Sequence, residues 1–366
     1  MSSKWNTGRS SPAPAPAPAP TLTTTILQYS SNQGSSVYWN PVTYTLDLSL
    51  PPHSYIATPT SIPSTTVPGN ADLTHVTIGS SVTSIGAQAF NSCTTLTTII
   101  IGNSVTSIGS IAFQACTALT SVTIGNSVTS IGANAFQGCS FTSIIIPDSV
   151  TSIGDYVFAS CSVLATVTLS PTSTLQIIGD SAFQFCTSLT SVTIPDSVTS
   201  MGDYVFYNCS ALTSVTFTPT SSVTSIGINA FNTCTLLTTI IIPNSVTSIG
   251  ASAFSSCTVL ATVTIGNLVT SIGTYAFQYC SALTSVTIGN SVTHIGDYAF
   301  QYCSALTSIT IPALVASIGT NAFQSSGLTF NGPVTIPSTT ANNLSISGSP
   351  TSFFGATNVN MNYIPP

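Results

Sequence analysis

Phenylalanine recurs at Phe90, Phe113, Phe136, Phe158, Phe183, Phe206, Phe231, Phe254, Phe277, Phe300 and Phe323, at steps of 23, 23, 22, 25, 23, 25, 23, 23, 23 and 23 residues. A glycine stands four residues before each of them, from Gly86 to Gly319, and a cysteine three residues after each of the first ten, from Cys93 to Cys303. The eleventh copy has Ser326 instead of a cysteine. A period of this length marks a stack of small units that cannot bury their own apolar side and acquire a core only from their neighbours. The irregular steps are local. One residue is missing near Phe141, and two are added in each of the stretches LSPTSTLQIIG and FTPTSSVTSIG. Both additions fall between the strand and the Ile-Gly position, so they should bulge from one edge.

Within one unit, Leu119-Thr120-Ser121-Val122-Thr123-Ile124 alternates near its end as a half-buried strand does. Leu119, Val122 and Ile124 should point inward, Ser121 and Thr123 outward. Gly125-Asn126, or Pro147-Asp148 in another copy, supplies turn chemistry after it. A second short extended piece, Val128 to Ile131, follows. Gly132 then allows a turn that a Cβ would hinder. The spacing of three between Phe136 and Cys139 predicts one helical turn over Ala133–Cys139 with both side chains inward. The fold class expected is a leucine-rich-type solenoid of short parallel strands with one helical turn per coil. Eleven coils at about 4.8 Å each make a rod or shallow arc on the order of 50 Å long.

The charge content limits what the surface can do. Lys4 and Arg9 are the only basic residues, and the eight acids are all Asp, so the net charge is −6. Duplex nucleic acid and anionic membranes are held by basic clusters, so neither is an expected partner. No stretch of about 20 uninterrupted apolar residues predicts a membrane-spanning helix. The opening MSSKWNTGRSSPAPAPAPAP has no apolar core and does not read as a secretory signal. Residues 1–20 read as an extended Pro-Ala arm and 21–70 as a Thr/Ser/Pro-rich cap or linker, with TLTTTILQY and VTYTLDLSL as candidate cap strands. The solenoid should occupy 71–330 and a C-terminal cap or tail 331–366; GLTFNGPVTIP, which lies across that boundary, resembles a decayed repeat.

The unit LTSVTIPDSVTSIGDYVF, followed by xxCS, resembles the BspA-like, or treponemal-type, leucine-rich repeat. The resemblance runs over about residues 72–330. It implies a right-handed solenoid with strands lining one face, a cell-surface or secreted location, adhesion to proteins or other cells, and no catalytic residues.

Several constellations have two readings each. The cysteine ladder reads as a small apolar filler in one core slot; it has no C-x2-C pair for zinc. Equal neighbours in adjacent coils also do not specify disulfide partners. Asp155, Asp180 and Asp203 follow the glycine in three consecutive coils, with Asp148 and Asp196 at nearby turns. They read as helix N-caps or, less simply, as a weak metal site for a hard cation that relieves stacked carboxylates. Ile100, Ile145 and Ile241 break an outward Ser/Thr column, either as tolerated β-formers or as apolar contacts for a partner. Tyr275, Tyr279, Tyr298 and Tyr302, from two adjacent coils, form a second partner-binding candidate or pack on neighbouring coils.

His53, His75 and His294 lie far apart with no acid–nucleophile arrangement beside them, and no phosphate loop, G-x-S-x-G or HExxH occurs. A cofactor and catalysis are therefore not expected. The leading expectation is a non-catalytic module presenting an uncharged Ser/Thr-rich surface to a protein or glycan. The alternatives are an ice- or crystal-surface-binding protein, suggested by arrays such as Ser121-Val122-Thr123 and Thr262-Val263-Thr264, and a passive structural fibre or virion component.

Overall fold

The computed structural model describes residues 73–80 and 82–328, the stretches 45–47, 61–62, 334–337 and 361–364, and a few single positions between 64 and 71. The Pro-Ala arm of residues 1–20, the first candidate cap strand and most of the residues after 328 lie outside the described residues.

The eleven repeats are eleven coils of one solenoid, numbered here from coil 1 (Phe90) to coil 11 (Phe323). Each coil contributes one longer strand, from His75–Ile78 in coil 1 to Ile309–Thr310 in coil 11, and one two-residue strand, from Ser84–Ile85 to Ser317–Ile318. All pairings are parallel and each residue faces its own counterpart, as in Thr239↔Thr262 and Ile240↔Val263. Alternation decides which side chains enter the core: Ser143–Ile146 runs exposed, buried, exposed, buried. Thr45–Asp47, within the second candidate cap strand, adds to the strand of coil 1 in register. Val334–Pro337, within the decayed repeat, follows the strand of coil 11, and Met361–Ile364 follows that.

The ladders break at three places, two of them beside an irregular step. The longer-strand ladder is unpaired between coil 3 and coil 4, where the residue is missing, and again between coils 10 and 11. At the first break Phe141 fills the core slot that Leu119 and Leu164 hold in the coils on either side. It meets Phe136 and Phe158 edge-on at 6.1 and 6.2 Å and sits where their stack opens to 5.8 Å. The short-strand ladder breaks between coils 6 and 7, beside the second insertion. Both insertions fold back on the preceding coil. Thr172 Oγ1 donates to Asp148 Oδ2 at 2.7 Å, and Thr220 donates likewise to Asp196. The neighbouring Thr218 and Thr220 side chains hold the Asp196 carboxyl below the usual carboxylate range.

The core is a single cluster running from Ile62 to Phe323. Its spine is the eleven phenylalanines, stacked ring on ring at 5.1–5.8 Å with planes within 17°. Beside it runs the cysteine ladder. All ten are buried and none forms a disulfide, and from coil 2 on each thiol donates to the carbonyl oxygen of the preceding coil's phenylalanine, as Cys116 Sγ does to Phe90 O at 3.1 Å. Burial pushes the thiols of Cys116, Cys161, Cys257 and Cys303 up to about 12.

The helical turn expected at Ala133–Cys139 is replaced by something else; no α-helix occurs among the described residues. Phe136 and Cys139 do point inward, but along a chain of overlapping turns. The second and sixth residues after each glycine take the left-handed conformation, as Asn134 does at φ 60° and Gly138 at φ 70°. This reverses alternate peptides. Three N–H groups per coil then point to the next coil: Gln88 N–H to Ser110 O, Phe90 N–H to Ala112 O and Ser92 N–H to Gln114 O, at 2.7–2.9 Å. A helix would turn those groups back on its own chain and leave the coils unlinked on this edge. The glycine itself has a different role from the one its sequence position suggests. A Cβ on Gly132 would lie 2.5 Å from Ser110 N and 2.8 Å from Gly109 C, so close stacking of coils, not an unusual φ, excludes a side chain.

Candidate interaction faces

Two outward columns run along the longer-strand face. The first holds His75, Thr98, Ser121, Ser143, Thr166, Ser191, Ser214, Thr239, Thr262, Ser285 and Ser308; the second holds threonine except at Ile100, Ile145 and Ile241. Within the eleven coils no Asp, Lys or Arg stands in either column. Neighbours along a strand are about 6.6 Å apart and neighbours across strands about 4.8 Å, so hydroxyls and methyls form a regular grid. Thr262 Oγ1 donates to Thr239 Oγ1 at 2.9 Å. Ile145 and Ile241 are 68% and 67% exposed and Ile100 43%, so none is tucked into the core. They are not brought together: Thr123 separates Ile100 from Ile145, and three threonines separate Ile145 from Ile241.

The aspartates act across coils. Asp155 Oδ1 accepts the N–H of Asp180 at 2.9 Å, Asp180 Oδ1 that of Asp203 at 2.8 Å, and Asp203 Oδ1 that of Ile228 at 2.6 Å. Asp297 does the same for Thr320 at 2.6 Å. Each carboxylate thus caps a backbone donor of the following coil, where a helix N-cap was expected. Asn103, Asn244 and Asn267 play the same part at the strand-end turn. Among the described residues no group of three or more His, Cys, Asp or Glu is placed to hold a metal ion. His75 and His294 are exposed and bond through Nδ1 to the adjacent Thr74 and Thr293 hydroxyls; His53 is outside the described residues.

The turn edge, formed by the left-handed positions, carries the aromatic side chains. Tyr275 stacks on Tyr298 at 5.0 Å and 13°, and Tyr279 on Tyr302 at 4.8 Å and 3°. The four rings therefore make two parallel pairs on coils 9 and 10, all partly or largely exposed. Gln278 Nε2 donates to Gln301 Oε1 at 2.5 Å, and Gln301 to Gln324, in a ladder adjoining Tyr279 and Tyr302. A second aromatic group on coils 5 and 6 was not singled out from the sequence. Phe185 meets Tyr207 edge-on at 5.5 Å, and Tyr207 lies 5.7 Å from Tyr204. Its members occupy different positions in successive repeats, so no column of identical residues signals it.

No helix among the described residues is long and apolar enough to cross a membrane. The family described as the BspA type leucine-rich repeat region matches residues 60–140, 129–241 and 212–329, with six copies. No match is found among curated proteins. Among solved structures, a leucine-rich repeat protein from Bacteroides ovatus is similar, with 28% identity, a TM-score of 0.61, and coverage of 92% of this chain and 97% of the other. A leucine-rich cell surface protein from Faecalibacterium prausnitzii is 30% identical, with a TM-score of 0.52, and the match covers 86% of this chain and 92% of that one. Repeat, register and these matches agree, and the chain belongs to the BspA-type leucine-rich repeat family.

Proposed function

We propose that this chain is a non-catalytic interaction or adhesion module whose longer-strand face meets a protein or glycan partner. The observation that carries this reading is the paired outward columns of Ser and Thr, kept in register over coils 4–10 with no ionised side chain in them. Such a face can form many weak polar contacts at once and has no charge to desolvate. The similar Faecalibacterium protein is described as a cell surface protein, which suits an adhesive role. Exposed Ile145 and Ile241 add isolated apolar contacts to that face. The test replaces Thr168, Thr193 and Thr216 with lysine and measures the full chain on arrayed proteins and glycans. Bound signals of the parent should fall about tenfold or more, a loss of about 1.4 kcal/mol, while the melting temperature stays within a few degrees. Unchanged binding by a folded variant rejects the strand face.

The regular spacing of that grid favours one second reading, binding to an ice or mineral surface. Solutions of the chain would then show thermal hysteresis, and the Thr168, Thr193, Thr216 lysine variant would lose it. Ordinary freezing at high concentration rules this reading out.

A further inference from the structure

The tyrosines of coils 9 and 10 stand where the backbone disfavours them. Tyr275, Tyr279, Tyr298 and Tyr302 have φ of 56–61°, a region that bulky L-residues rarely adopt. The fold does not require rings there, because the same positions in coils 7 and 8 hold Asn229, Thr233, Ser252 and Ser256 at φ 54–62°. Stacking of the rings in pairs returns part of that strain, yet Tyr279 remains 46% exposed and Tyr302 40%. The conformation is common to every coil, so it is the choice of exposed rings there, which no packing in the fold requires, that points to recognition.

The block has defined ends. Ser252 and Ser256 precede it and Asn321 and Ser325 follow it at the equivalent positions, so no ring continues either stack. Beside it, Asp297 gives Oδ1 to the Thr320 N–H, and no Lys or Arg exists among the described residues to meet its other oxygen. The pairing of acid and ring is repeated: Asp155 precedes Tyr156 and Asp203 precedes Tyr204, both tyrosines left-handed and exposed.

We propose that this block docks an arginine-bearing extended segment of a partner protein, a refinement that rests on reading the solenoid as an interaction module. A guanidinium has a planar face to lie on the open side of Tyr298 or Tyr302 and a fork of N–H donors for the Asp297 carboxylate. Lysine offers the charge without the plane, and a neutral glycan offers the ring contact without the counter-charge. Tyrosine hydroxyls donate to the backbone carbonyls of the extended segment, which have no partners of their own.

The test titrates the full chain with a fluorescent synthetic peptide of alternating arginine and proline, and with its lysine and glutamine counterparts. Tyr298→Ser with Tyr302→Ser installs the residue type that coil 8 uses at the same φ, so the fold is retained. Asp297→Asn keeps the acceptor for Thr320 and removes the charge. The arginine peptide should bind, the tyrosine double variant should weaken it about tenfold or more, and Asp297→Asn should weaken it several-fold and flatten its salt dependence. Lysine and glutamine peptides should bind progressively less. Failure of the arginine peptide to bind, equal binding to the serine variant, or equal binding of the glutamine peptide overturns the proposal. So does tyrosine-dependent capture of a chito-oligosaccharide in preference to the arginine peptide. Loss of this site with array binding through the strand face intact refutes only the arginine segment, not the interaction module.

Discussion

A ring removed from the middle of the phenylalanine spine leaves a void between two rings that cannot close on it, since backbone hydrogen bonds fix the coil spacing on the longer-strand and turn edges. Phe231→Ala should therefore destabilise by about 3–5 kcal/mol in urea denaturation. Gly250→Ala adds a single carbon, but that carbon meets Gly227 C at 2.6 Å and Ile228 N at 2.7 Å. It should cost about 1–3 kcal/mol through overpacking, where Ser252→Ala, at a left-handed surface position, should change little. The thiols make a prediction in pH. An ordinary cysteine in the unfolded chain titrates near 9, and in the fold Cys116, Cys161, Cys257 and Cys303 titrate at about 12. Between these values the unfolded state has released protons that the folded state still holds, so stability falls as pH rises. Melting temperature should be flat up to about pH 8.5 and drop steeply from pH 9 upward, with the slope reduced when Cys234 and Cys257 are both replaced by alanine.

At the scale of the coil, the strands and inward residues were legible because a period of two and a period of 23 both survive in the letters. The turn edge was not. The pattern glycine, Ala-Phe, cysteine has the spacing of one helical turn, and apolar spacing alone cannot distinguish that from overlapping β-turns that bury the same two side chains. A signal was present in Asn134, Asn208, Asn229, Asn321 and Gly138, residue types that tolerate φ above zero, at the two positions where left-handed backbone occurs. Asp155, Asp180 and Asp203 cap backbone donors that lie one coil away rather than two or three residues along the chain, and Asp148 and Asp196 meet the Thr172 and Thr220 hydroxyls instead; neither partner is visible from local spacing. The candidate tyrosines were visible as a column; Phe185, Tyr204 and Tyr207 were not, since their contact depends on how unlike positions meet across coils. Asp203→Ala should destabilise while Asp203→Asn, which still accepts from Ile228 N–H, should be close to neutral in thermal melts.

For the whole molecule, contacts join each coil only to the next, so the stability of the rod approximates a sum over coils and interfaces. Excising residues 251–273, one complete 23-residue period from after one glycine to the next, joins Gly250 to Thr274 in register. The product should fold with a length shorter by about 4.8 Å in small-angle scattering, whereas removing half of that segment should abolish cooperative unfolding.

The forward-pointing N–H groups of the turn edge have a consequence for the rod's electrostatics. Ser110 O points back to coil 1 while the N–H of Ile111, in the same peptide unit, points on to coil 3. Three such units in each coil lie head to tail with those above and below, and dipoles of about 3.5 D each add along that edge. The positive pole of this column lies toward the C-terminal end of the solenoid, opposite in sense to an α-helix. The edge is thus an electrically polar filament, and copies meeting there end to end would align with one chain direction favoured over the other.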